Sequence, residues 1–445
     1  MSAHDGPTVW LHAVSLGETR AVAVLVMALR QQLPQMRLLL THGTATGRAE
    51  GLKLLQAGDL QAWQPWDTPG AVQRFLNHFK PDIGILMETE VWPNLVHGCR
   101  RVGVPLVLVN ARLSDKSLRQ AQRLAWLARP AFAALTAVWA QTPQDAQRLQ
   151  SLGARVQGVL GNLKFDAAPN ASQLALGWQW RAQLAQPVAM FASSREGEEL
   201  ALLQVLRNAN SHRPEGGPPT GNQTPTWSAP PAWNATPVGA APSPRLPPSE
   251  TPVGAAPSPR LPPSPSVSVN PEPVQWLIVP RHPQRFDEVA ALIESHGFTV
   301  QRRSSWGPGG PGAVVFEKPA IWLGDSLGEM ALYYGLADVA LLGGSFEPLG
   351  GQNLIEAAAC GCPVVMGPHT FNFAEAAEQA LAAGAALRVV DLKQAVAAAC
   401  ALCLDLNRLE IARQAAKSFA QSHQGAARRL AEVLVSEISH GALRK

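Results

Sequence analysis

Short apolar runs recur along this chain, with helix-length stretches of mixed polarity between them. VWLHA (9–13), RLLLT (37–41), IGILM (83–87), LVLV (106–109) and AVWA (137–140) are apolar on both faces rather than alternating. That is the pattern of parallel strands covered on both sides by crossover helices. The stretch 20–33, stopped by Pro34, reads as the first of those helices. A second series begins at 188–192 and continues at 276–279, 299–302, 321–323, 339–342, 363–366 and 387–390. The pattern predicts an α/β chain of two Rossmann-like, doubly wound halves facing a central cleft, with ligands beyond the carboxyl ends of the strands. Residues 407–438 read as two Ala-rich helices.

The boundaries expected are 1–167 for a first, acceptor-binding domain, 168–186 for a linker, 187–425 for a second domain, and 426–445 for a C-terminal helix. By analogy with other two-lobed folds, that helix packs back on the first domain. One segment breaks the alternation. Residues 208–273 are rich in Pro, Ser, Gly and Thr, and TPVGAAPSPRLPPS occurs twice, at 236–249 and 251–264. So many prolines forbid helix and central strand, and little apolar surface offsets chain entropy, so this reads as a disordered insertion.

Composition narrows the class. With 445 residues the chain exceeds what one core usually serves. A formal net charge of +4 and the lack of a basic stripe interleaved with aromatics argue against nucleic acid. Five cysteines without a signal-peptide pattern argue for a reducing compartment; Cys400 and Cys403, in an Ala-rich helical stretch, read as core rather than zinc or redox ligands. No apolar run reaches eighteen residues.

The candidate chemistry clusters at strand ends. In HAVSLGE (12–18), Glu18 stands at a helix start, where a dipole-favoured glutamate and a general base are both open readings. THGTATGR (41–48) reads as a capped helix start. In ETEVWPN (88–94), Glu88 and Glu90 would share a face if the strand continued. Two such carboxylates need cations, hydrogen bonds or a proton. GNLKFD (161–166) offers Lys164, ASSREGEE (192–199) opens the second half with serines and acids, and VPRHPQRF (279–286) places Arg281 and His282 at a strand end. GDSLGEM (324–330) opens another helix. GGSFEPLGGQNLIE (343–356) combines strand, glycine turn, helix start and acid. That order suits a nucleotide phosphate at the turn, with Glu356 accepting ribose hydroxyls.

Together with NARLSDKS (110–117) and MGPHTFNF (366–373), these motifs cover nearly all of the chain outside the insertion. In this order they resemble the 3-deoxy-D-manno-octulosonic acid (Kdo) transferases of lipopolysaccharide synthesis. The resemblance implies a GT-B glycosyltransferase fold and transfer of Kdo from CMP-Kdo to a lipid A precursor, lipid IVA, by inverting direct displacement without metal or other cofactor. It implies Glu18 as general base and Glu90 and Lys164 as transition-state stabilisers. It assigns Arg281, His282, Leu327, Gly328, Glu329, Gly344, Ser345, Asn353, Leu354, Ile355 and Glu356 to the CMP site. It further implies the cytoplasmic face of the inner membrane of a Gram-negative bacterium. The family's usual hydrophobic N-terminal anchor does not precede the first strand here, which leaves two readings: a start assigned too late, or contact with the membrane surface that is peripheral only. The family often has His where Gln352 stands, and Thr-His where Ser194 and Arg195 stand. A GT-B enzyme using a UDP-sugar, such as a lipid A disaccharide synthase or an epimerase, and a non-catalytic scaffold are the competing readings. Preference for CMP over UDP discriminates the first, and the joint presence of Glu18, Glu90 and Lys164 argues against the second.

Overall fold

The computed structural model describes residues 6–211, 274–312 and 319–442. The chain forms two compact units, one of Met1–Ala168 with Ala420–Lys445 and one of Pro169–Phe419. The proline-rich stretch lies outside the described residues except at its start, where the helix Glu198–Ser211 runs beyond residue 207, its expected end.

In the first unit, strands β1 (Thr8–His12), β2 (Arg37–His42), β3 (Leu60–Trp63), β4 (Ile83–Met87), β5 (Leu106–Ala111), β6 (Ala137–Ala140) and β7 (Val156–Val159) form one sheet. Its order is β3-β2-β1-β4-β5-β6-β7, and every pairing is parallel. Period two explains why each strand is apolar throughout. Val9, Leu11, Leu38, Leu40, Ile83 and Ile85 enter the core on one face. Trp10, Leu39, Leu86 and Leu108 enter the core on the other. Gly84 makes room for Trp10: a Cβ there would stand 2.8 Å from the indole and 2.6 Å from Leu106 Cδ1.

The helix Ala426–Ala442 belongs to this unit. It buries Ala427, Leu430, Ala431 and Leu434 in the same core as Val22, Leu25, Val26 and Leu29 of the helix Leu16–Gln32. Asp166 caps its start, its carboxylate accepting from the backbone N–H groups of Gly425 and Ala427. Arg429 Nη2 donates to the Leu160 carbonyl at 2.9 Å.

In the second unit, β8 (Val188–Ser194), β9 (Gln275–Pro280), β10 (Thr299–Arg302), β11 (Ala320–Leu323), β12 (Val339–Leu342), β13 (Val364–Met366) and β14 (Ala386–Arg388) form another sheet. The order is β10-β11-β9-β8-β12-β13-β14, again parallel throughout. Each sheet has a point where the chain winds off in opposite directions: between β1 and β4 in the first, between β8 and β12 in the second. Ligands of such sheets bind outside the carboxyl ends of the strands at those points.

Cys99, Cys360, Cys362 and Cys403 are buried and unpaired, and Cys400 is half-buried and unpaired. Burial pushes the Cys99 thiol up to about 12 and the Cys400 thiol up to about 11, which keeps them protonated hydrophobes at neutral pH. No helix among the described residues is long and apolar enough to cross a membrane.

Candidate active site

The switch point of the first sheet is lined by acids. Ser15 caps the helix Leu16–Gln32, accepting from the Glu18 N–H. Glu18 returns the contact: one carboxylate oxygen accepts from Val14 N at 2.8 Å and the other from Ser15 Oγ at 3.1 Å. This is a variant of the capping box in which the acid reaches the N–H one residue before the cap, so S-x-x-E at 15–18 fixes the side chain just after β1. Glu18 is half-buried. Burial pushes its pKa above the usual carboxylate value, the Val14 N–H opposes that rise, and the negative charges of Glu88 and Glu90 add to it. The helix-start and base readings of Glu18 are therefore compatible: the cap orients the group and its surroundings raise its basicity.

The acids after β4 are arranged differently from the sequence expectation. The strand ends at Met87, and Glu88 adopts a left-handed φ of 53°, so the shared-face argument for Glu88 and Glu90 does not apply. Glu88 is buried, with Arg112 Nε 2.7 Å from one oxygen and Lys164 Nζ 3.3 Å from the other. Glu90 is half-buried and accepts from Trp92 Nε1 at 2.9 Å. Its pKa is raised, first by burial and further by the Glu88 charge, against the lowering effect of the Trp92 hydrogen bond. Lys164 is thus brought to Glu88, a residue to which the sequence reading gave no chemical role.

The turn carrying Lys164 is set from a distance. Asn110, itself left-handed with φ 50°, accepts from Leu163 N through Oδ1 at 3.0 Å, and Asn162 Oδ1 accepts from Lys164 N at 3.0 Å. NARLSDKS and GNLKFD therefore form one structure. Thr44 caps the helix Ala45–Gly51, as THGTATGR suggested.

At the end of β1, His12 is fully buried with Nδ1 2.9 Å from Thr41 Oγ1, and burial lowers its pKa to about 4. A folded value below the unfolded one near 6.5 means full stability above pH 6.5 and a loss that grows as pH falls toward 4. At ~1.4 kcal/mol per pH unit between the two states, this loss reaches about 3 kcal/mol. Denaturant midpoints measured from pH 7 to 4 should fall accordingly, and His12→Asn should flatten that part of the profile. An unchanged slope in the variant would remove His12 as the cause.

In the second unit, the loops after β8 and β12 are clamped together by a buried acid. Glu198 accepts from Gly344 N at 2.8 Å, Phe346 N at 3.4 Å and Arg195 N at 2.9 Å. Gly344 itself takes a φ of 69°, open to glycine at little cost. Glu199 accepts from Ser194 Oγ at 2.8 Å and binds the Arg285 guanidinium through both oxygens. Ser194, Glu198 and Glu199 of ASSREGEE therefore hold the loops, and the Gly344 amide points to Glu198. Ser345 is fully buried: its hydroxyl donates to the Leu342 carbonyl and accepts from Gly367 N.

Around this clamp, Arg281 is exposed and His282 half-buried. Leu327 is 73% exposed. Gly328 has its carbonyl taken by Gln173 Nε2 at 2.9 Å. Glu329 is held by Arg303 at 3.0 Å and by Ser326 at 2.5 Å. Asn353 caps the helix Leu354–Ala359, accepting from Ile355 N at 3.2 Å; Leu354 and Ile355 are buried, and Glu356 lies half-buried in the first turn.

The family model for 3-deoxy-D-manno-octulosonic-acid transferase (kdotransferase) matches residues 2–167. A 3-deoxy-D-manno-octulosonic acid transferase of Bordetella pertussis is 44% identical over 432 residues, covering 96% of this chain and 86% of that protein. One of Haemophilus influenzae is 29% identical over 373 residues, covering 82% and 72%. The crystal structure of a glycosyltransferase from Rickettsia africae matches with a TM-score of 0.55 at 13% identity, over 98% of this chain and 99% of that one. That likeness supports the fold, two parallel α/β sheets of the GT-B class. Over nearly its whole length, then, the chain belongs to the 3-deoxy-D-manno-octulosonic acid transferase family of glycosyltransferases.

Proposed function

We propose that the protein transfers Kdo from CMP-Kdo to a lipid A precursor, lipid IVA, by inverting direct displacement without metal. The observation that carries the reading is Glu18, fixed by its cap at the first switch point with its basicity raised by burial and by two neighbouring acids. Its carboxylate takes the proton of the acceptor hydroxyl as that oxygen bonds to the anomeric carbon. The bond from that carbon to the CMP phosphate breaks, CMP leaves with the electron pair, and the proton stays on Glu18. Positive charge grows on the sugar ring during this exchange. Glu90 supplies a carboxylate to it, and Lys164, shared with Glu88, supplies an ammonium for the negative charge. Arg281, His282, Leu327, Gly328, Glu329, Asn353 and Glu356 are the proposed CMP contacts, with Gly344, Ser345, Leu354 and Ile355 shaping the turn and helix start beside them. Synthesising CMP-Kdo in the same tube, adding the lipid precursor and weighing the product by mass spectrometry tests donor, acceptor and number of transfers together. An unmodified lipid would overturn the reading.

The acceptor is a membrane lipid, and the first unit has a surface that suits a bilayer on the cytoplasmic face of a Gram-negative inner membrane. In and between the helices Asp115–Arg123 and Ala125–Ala134, Leu124 and Trp126 are exposed at 48% and 76%, among the exposed cations Lys116, Arg119, Arg123 and Arg129. Apolar and aromatic groups ringed by cations favour an anionic lipid surface. Exchanging Leu124 and Trp126 for glutamate should lower co-sedimentation with phosphatidylglycerol vesicles about tenfold or more; equal sedimentation would count against this surface.

A further inference from the structure

At the second switch point, three cationic side chains are brought together by backbone geometry. Ser194 pairs in register with Pro280, and Arg281 N donates to the Ser194 carbonyl at 3.0 Å, so the loops after β8 and β9 run side by side. Arg195 follows Ser194 directly. On its other side its N–H shares the Glu198 carboxylate with Gly344, and its Cγ stands 3.7 Å from where a Cβ on Gly344 would lie. Arg195 thus sits between the glycine turn and Arg281–His282.

Charge balance sets Arg195 and Arg281 apart from their neighbour. Arg285 is neutralised by Glu199 and Glu288, whereas Arg195 and Arg281 make no ion pair among the described residues. The adjacent acid Glu196 is exposed, and Glu198 is occupied by three backbone N–H groups. His282 registers the excess: burial lowers its pKa first, and the charges of Arg195, Arg281 and Arg285 lower it further. Like charges held together by the backbone repel unless an anion joins them, and a planar guanidinium matches a phosphate through two parallel hydrogen bonds.

We propose that Arg195 is a phosphate-binding residue of the donor site: its guanidinium, beside Arg281, grips the phosphate of the nucleotide-sugar and the charge that gathers there as CMP departs. This deepens the function proposed above and rests on it for the identity of the nucleotide. No other residue in the loops after β8 and β12 offers an unpaired cation, so the phosphate would otherwise meet the glycine turn without a counter-charge on that side.

Titration calorimetry with cytidine, CMP and UMP on the full chain decides the matter, using the parent protein, Arg195→Gln and Arg195→Lys. The expected result is a ~10- to 100-fold loss of CMP affinity in Arg195→Gln, partial recovery in Arg195→Lys and unchanged cytidine binding. Unchanged CMP affinity in Arg195→Gln overturns the assignment. An equal loss for cytidine and CMP overturns it too, since the side chain would then only be packing on the Gly344 turn. If the parent protein fails to prefer CMP to UMP, the donor reading fails instead, and the UMP titrations still decide whether Arg195 holds a phosphate.

Discussion

Replacing Glu18 with glutamine should slow Kdo transfer by about 10²- to 10⁴-fold, the usual worth of a positioned general base, while CMP binding survives. Glutamine is the informative exchange because it separates the cap from the proposed proton transfer. The Glu18 oxygens hold Val14 N and Ser15 Oγ at the head of the first helix, and a carboxamide oxygen can still accept from the backbone. What the amide cannot do is take a proton. Alanine removes both functions and should also cost about 1 kcal/mol of stability through the lost cap. Melting curves and turnover measured side by side separate the effects. Full activity in Glu18→Gln would sink the assignment, whereas a loss of activity matched by a loss of folded protein would point to the cap alone. The raised pKa adds a pH signature. A base must be ionised, so the parent enzyme should lose rate on acidification at a higher pH than an ordinary glutamate would dictate.

Glu198→Ala should destabilise the second unit by about 3 kcal/mol, because the buried Gly344 N–H and the part-buried N–H groups of Phe346 and Arg195 would each lose a charged acceptor. For a unit of this size that corresponds to a drop of roughly 6–12 °C in the melting midpoint. The functional consequence is as large. The clamp fixes the glycine turn relative to the loop that carries Arg195, so nucleotide affinity should fall along with stability. A midpoint within a degree or two of the parent would show that the turn keeps its shape without the carboxylate.

The sequence made every strand of the second sheet legible, but in the first sheet it missed the two at the edges. β1, β4, β6 and β12 are apolar on both faces and stand out as unbroken runs. β3 and β7 lie at the edges of their sheet with half-exposed side chains, so LQAW and VQGV carry no such run. Short-range chemistry was legible in part: Glu18 was read at a helix start, but the helix was placed at 20–33, whereas it runs Leu16–Gln32 with Ser15 as its cap. The ion pair between Lys164 and Glu88 was not legible. It depends on a left-handed backbone at a residue that carries a side chain, and on Asn110 placing the Leu163 turn. The clamp of Glu198 on Gly344 joins positions 146 residues apart, which no local pattern announces. The glycine turn was read as an open phosphate cradle because its glycines are visible in sequence, while the acid that occupies the Gly344 amide is not.

The first unit borrows its final helix from the far end of the polypeptide. Asp166, two residues beyond Lys164, caps that helix, and the apolar stripe of Leu16–Gln32 is covered by it. During synthesis, therefore, the half of the enzyme made first is the half completed last. While the ribosome builds the whole of the second unit, the stripe at Val22, Leu25 and Leu29 waits uncovered, and Asp166 has no helix to cap. A chain released early loses both contacts together, so the core of the first unit closes only after the second unit has been made.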